Sequence, residues 1–77
     1  MLNPVMSQVY LVTVYNKVVR AMVKDNRSHS FYSDLWANAH IQDVCAADEA
    51  EARQKMSLRF PEADGFVIEK IAPAPHH

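Results

Sequence analysis

Apolar and polar positions are patterned most densely near the start of the chain. Val9-Tyr10-Leu11-Val12-Thr13-Val14-Tyr15 and Val18-Val19-Arg20-Ala21-Met22-Val23-Lys24 are both rich in β-branched and aromatic residues, the side chains that suit a pleated surface. Only Asn16 and Lys17 separate them. Asn tolerates the positive φ that a type I′ turn needs at its first central position, so the pattern predicts an antiparallel hairpin turning at Asn16-Lys17. One face of that hairpin carries Tyr10, Val12, Val14, Val19, Ala21 and Val23, all apolar or aromatic. The other carries the mixed set Val9, Leu11, Thr13, Tyr15, Val18, Arg20, Met22 and Lys24. A slip of one residue scrambles this sorting, so the register argues for the turn and names the core face.

Asp25 to Ser30 is polar and aperiodic and reads as a loop. Leu35, Ala37, Ala39 and Ile41 then alternate with Trp36, Asn38, His40 and Gln42. A third strand is expected from about Ala39 to Ala46. Val44 and Ala46 continue on the opposite parity, which predicts a bulge near Gln42-Asp43. Ser33 to Asn38 has two readings, an extension of that strand or a short helix from Asp34 to Ala39 capped by Ser33.

The clearest element follows. Asp48 with Glu51 three residues later forms a capping box, and Glu49 and Glu51 sit where the helix dipole favours negative charge. Glu49 to Phe60 lacks Gly and Pro, and Pro61 ends the helix near Phe60. Ala52, Met56 and Phe60 share its apolar face, and Glu51 and Lys55 can pair one turn apart. Pro61 to Gly65 is a turn ending in the chain's one glycine, and Phe66 to Ile71 is the last strand.

The expected fold is a small two-layer α+β domain over residues 8–71, in the order β-β-β-α-β. An antiparallel hairpin precedes a β-α-β crossover, right-handed if its two strands run parallel in one sheet. The single helix packs on one sheet face. Residues 1–7 form a lead-in and 72–77 an extended, proline-containing tail, whose final His76-His77 reads either as a tag remnant or as part of the natural chain.

Size sharpens this picture. A chain of 77 residues with 49% hydrophobic and 22% charged residues has the composition of one globular domain. A core this small rarely yields more than about 3–5 kcal/mol of net stability. With one cysteine, Cys45, the chain cannot staple itself with a disulfide. A second copy is the simplest added source of burial. The net charge of −1 supplies no field toward nucleic acid or anionic lipid. No apolar run approaches the roughly 18–20 residues of a membrane span. Met1 to Ser7 has no basic stretch leading into an apolar one, so no secretion signal is expected, and a cytoplasmic location follows.

Chemistry is sparse. His40, Asp43 and Cys45 lie close in sequence, but a structural zinc site takes about four ligands in paired spacings and none is present. A solvent-facing His40 and a buried or semi-buried Cys45 are the simpler expectation. Cys45 as a nucleophile needs a nearby base. Asp48, Glu49, Glu51, Glu62 and Asp64 each have a capping, dipole or turn role, and no pair stands out as acid and base. One glycine excludes a glycine-rich phosphate loop. No catalytic, metal or cofactor residue is therefore assigned, and an enzyme is the least favoured class. The junction from Val44 to Ala50 describes packing and not a reaction.

The unusual segment is Ser28 to His40, with Phe31, Tyr32, Leu35 and Trp36 inside six residues. These aromatics either wrap the edge of the core or form a protein interface. The expected function is a non-enzymatic interaction module, a homodimer or a partner of another protein. Its contact residues are Phe31, Tyr32, Leu35, Trp36 and His40, with Leu11, Val18 and Met22 from the mixed sheet face. The alternative is weak nucleic-acid binding through a basic hairpin edge of Tyr15, Lys17, Arg20, Lys24 and Arg27, disfavoured by the overall charge.

Overall fold

The computed structural model describes residues 7–75. The lead-in over residues 1–6 and the His76-His77 pair lie outside them. Its elements are β1 (Gln8–Asn16), α1 (Lys17–Lys24), β2 (His40–Ala46), α2 (Glu49–Arg59) and β3 (Phe66–Pro73), with 3-10 turns at Asp34–Ala37 and Glu62–Asp64. The α+β class stands. The order of elements does not, because the expected second strand is a helix.

The reason lies in Asn16. Its side chain does not open a turn but caps α1, with Oδ1 accepting from the Val18 and Val19 amides at 3.0 Å each. The Lys17 amide donates to the Gly65 carbonyl at 2.8 Å. Val18, Val19, Met22 and Val23 suit a helical period as well as an alternating one, so β-branched content alone could not decide between them. Val19 is buried, whereas Ala21 and Val23, expected in the core, are exposed. Both edges of β1 are already taken, since the sheet order is β2-β1-β3.

Both outer strands run antiparallel to β1. They are therefore parallel to each other, and β2-α2-β3 is a crossover that spans the central strand. The β1–β2 register runs unbroken from Gln8 opposite Ala46 to Val14 opposite His40, without the bulge expected near Gln42-Asp43. The irregularity lies instead between Thr13 and Val14 opposite β3, where Glu69 is left over. Ser33 to Asn38 takes the helical reading in short form: the Ser33 hydroxyl accepts from the Leu35 amide and caps the first 3-10 turn.

The expected α2 forms with its cap. Asp48 Oδ1 accepts from the Glu51 amide at 2.8 Å, and Glu51 reaches back to the Ala47 amide at 2.6 Å, one residue earlier than in a standard capping box. Ala52 and Met56 are buried against Tyr10, Val12, Val44 and Ala46, with Phe60, Ile68 and Ile71 at the margin. The shortest extent of the backbone, 15 Å, holds a sheet and one helix layer. β3 runs two residues beyond the expected strand end, and the Ala74 amide donates to the Val9 carbonyl, so the start of the expected tail belongs to the sheet.

Candidate functional site

Pairing register sorts the sheet into two faces. Tyr10, Val12, Val14 and Asn16 point toward the core, and all are buried. Val9, Leu11, Thr13 and Tyr15 point the other way, abreast of Cys45, Asp43 and Ile41 on β2 and of Ala72, Lys70 and Val67 on β3. α2 lies on the first face. Among the described residues, the second face receives a cover only at its end, where the Arg20 guanidinium lies 3.7 Å above the Tyr15 ring. Ile41 is 67% exposed there and Val9 39%.

The edges differ from the face. On β2, Lys55 Nζ donates to the Cys45 carbonyl at 2.8 Å. β3 carries the bulge at Glu69, the charge of Lys70 and the terminal Pro73. Bulges, charges and prolines are devices that blunt a strand edge against pairing. The open face has no such protection beyond Asp43 and Lys70.

The aromatic segment divides into packed and exposed members. His29 Nδ1 accepts from the Phe31 and Tyr32 amides at 3.0 and 3.1 Å, which bends the loop. Tyr32 Oη donates to Asp64 Oδ2 at 3.0 Å, and this bond, with lesser desolvation and charge effects, raises the Tyr32 hydroxyl above the usual phenol range. Tyr32 and Trp36 both meet Phe66 edge-on, at 5.0 and 5.3 Å, and Trp36 also meets Phe60 and His40. His40 Nε2 lies 2.8 Å from the Leu35 carbonyl oxygen. Tyr32, Trp36 and His40 are thus half-buried and close one end of the core. Phe31 and Leu35 stay 79% and 67% exposed.

The expected contact residues therefore do not lie on one sheet face. Leu11 is on the open face, but Val18 and Met22 belong to α1. The basic group is also rearranged: Lys17, Arg20 and Lys24, spaced three and four apart, form a stripe on α1 and not a strand edge. Arg20 Nε donates to the Ala37 carbonyl at 2.8 Å, and Arg27 pairs with Asp25 at 3.6 Å. His40 is half-buried and not solvent-facing, and Cys45 is exposed on the open face and not buried.

Asn16 and Gly65 form a structural junction that the hairpin reading hid. Asn16 is fully buried, and Nδ2 donates to the Asp64 carbonyl at 2.9 Å. Gly65 has φ +98°, and a Cβ there would lie 2.7 Å from Asn16 Oδ1 and 2.8 Å from Val18 Cγ2. The available signal was an Asn directly before an apolar run, the position of a helix cap.

Among the described residues, no three His, Cys, Asp or Glu side chains gather to hold a metal, and no helix is long and apolar enough to cross a membrane. No family model, curated protein or solved structure matches the chain.

Proposed function

We propose that this chain is a small non-enzymatic interaction module that pairs with a second copy of itself through the open sheet face. One observation carries the reading: Val9, Leu11, Tyr15, Ile41, Val67 and Ala72 lie on a face that α2 leaves uncovered, while the β3 edge is blunted and Lys55 takes one carbonyl of the β2 edge. Burial that a chain of this size lacks is supplied by stacking two such faces, which pack about 10 Å apart in sheet-on-sheet arrangements. Three strands of about eight residues project an area of roughly 400 Å². That places the pair at the small end of specific interfaces, below about 1,200 Å² in total, the class of weak and transient pairs. Phe31 and Leu35 offer a further apolar contact. One exposed thiol without an intrachain partner suits a reducing compartment such as the cytoplasm.

Sedimentation equilibrium on the whole chain tests this. A mass near twice 8.8 kDa is expected at about 100 μM, a concentration that populates micromolar complexes. Leu11→Glu and Ile41→Glu are expected to return the chain to monomer while preserving its circular dichroism. A monomeric wild type at that concentration, or a dimer indifferent to both substitutions, overturns the proposal.

The second reading, weak nucleic-acid binding, draws on the Lys17, Arg20 and Lys24 stripe. It is the poorer of the two because Arg20 and Arg27 are already engaged and the net charge is −1. It requires binding to mixed-sequence single strands that falls steeply with salt.

A further inference from the structure

On the side of the sheet that carries α2, the start of α1, one side of α2 and the start of β3 line a cleft of about 230 Å³. Its lining includes Lys17, Arg53 and Ser57, with Glu62 as its one carboxylate, and the rings of Phe60 and Phe66. Phe66 is buried and Phe60 half-buried, so the apolar part is held rigidly by the aromatic row that also packs Trp36.

The charges at this cleft are not explained by the fold. The ion pairs among the described residues are Arg27 with Asp25 and Lys55 with Glu51. Neither Lys17 nor Arg53 enters one, and the fold brings these two cations, from separate helices, to one concavity. With Glu62 the lining carries a net charge of +1. An anion bound there gains a charge-assisted hydrogen bond from the Arg53 fork, which matches a carboxylate in plane. Ser57 adds a hydroxyl that can donate. Phe66 is 4% exposed, so the apolar surface is offered mainly by Phe60, Val67 and Ile68, a floor that accepts a small flat apolar body. Glu62 repels a second negative charge. The volume equals the share of about eight liquid waters, which fits a small molecule and not a peptide.

We propose that this cleft binds a small monoanionic carboxylate with a flat apolar body, the class of simple aromatic acids. Lys17 and Arg53 hold the carboxylate, Ser57 donates to it, and the body lies toward Phe60 and Phe66. Val67 is the one lining residue the cleft shares with the open face, and none of the groups that hold the carboxylate lies on that face.

Titration of the full-length chain with benzoate, followed by amide chemical shifts, tests the proposal. Saturable shifts clustered at residues 17, 53, 57 and 66 are expected. Benzamide, which has the ring without the charge, and acetate, which has the charge without the ring, should each bind at least about tenfold more weakly, the loss of one polar or apolar anchor. Lys17→Ala and Arg53→Ala should each reduce benzoate to the benzamide level, and both should sediment as wild type does. Shifts that are absent, scattered over the surface, equal for acetate, or unchanged in both variants overturn it. A wild type that is monomeric yet binds benzoate at these residues refutes the dimer and leaves this site standing.

Discussion

The two faces of β1 are made of similar residues and have opposite fates. Tyr10 and Val12 are buried against α2 and Val14 is buried on the same side, whereas Val9, Leu11 and Tyr15, no less apolar, lie on the uncovered side. Hydrophobicity alone therefore does not assign the core here. What assigns it is the position of α2, whose Ala52 and Met56 pack on the first face against Tyr10, Val12, Val44 and Ala46. A half-buried apolar face on a central strand is a surface with unrealised burial, and it is where association is expected to act.

Perturbing the covered face should produce the largest effect. Met56→Ala removes the largest fully buried side chain and should cost about 3 kcal/mol. In a domain of this size that lowers Tm by at least about 12 °C in a thermal melt. A loss under about 1 kcal/mol would mean that the face collapses freely and is not tightly packed. Asn16→Ala comes next. It strips the cap from Val18 and Val19 and the donor from the Asp64 carbonyl, and should cost about 2 kcal/mol in urea unfolding. Gly65→Ala should act at the same junction, because its left-handed backbone and the Asn16 side chain leave no space for a methyl group.

On the open face the contrast should invert. Ile41→Glu is expected to change monomer stability by no more than about 0.5 kcal/mol, while abolishing the doubled mass. A large stability loss from Ile41→Glu in a monomeric sample would show that the two faces are not as different as their burial indicates.

The smallest effect belongs to the tether between the aromatic segment and the turn before β3. Tyr32 is held protonated by Asp64, so its hydroxyl titrates higher in the folded chain than in the unfolded one. A raised value contributes stability that is complete below the ordinary phenol range, near pH 10, and is lost as pH rises through the folded value. Trp36, two aromatic contacts away through Phe66, reports it. Wild-type fluorescence should show an alkaline step that Tyr32→Phe lacks. The same step in both chains would remove the tether from the account.

Much of the architecture is legible in the sequence. α2 announced itself through Asp48, Glu51 and Pro61, because caps and breakers are local chemistry read within one turn. β1 and its core parity were legible because alternation within a strand is also local. The run from Lys17 to Lys24 was not, since Val18, Val19, Met22 and Val23 satisfy both periods. The aromatic segment was legible as unusual, but not its division between packed Tyr32, Trp36 and His40 and exposed Phe31 and Leu35. The cleft at Lys17 and Arg53 left no mark in the sequence, its residues being scattered from position 17 to position 68.

By itself, then, the sequence determined the class of fold, the second helix, the strands at residues 8–16, 40–46 and 66–73 to within one or two residues, and which side of the first strand is buried. Tertiary structure decided that Asn16 caps a helix and does not turn a hairpin. It did so because β2 and β3 occupy both edges of β1, leaving the following residues no strand to join, while the Asp64 and Gly65 carbonyls wait for the Asn16 amide and the Lys17 N–H. Those partners lie almost fifty residues away, a distance over which no local pattern carries information.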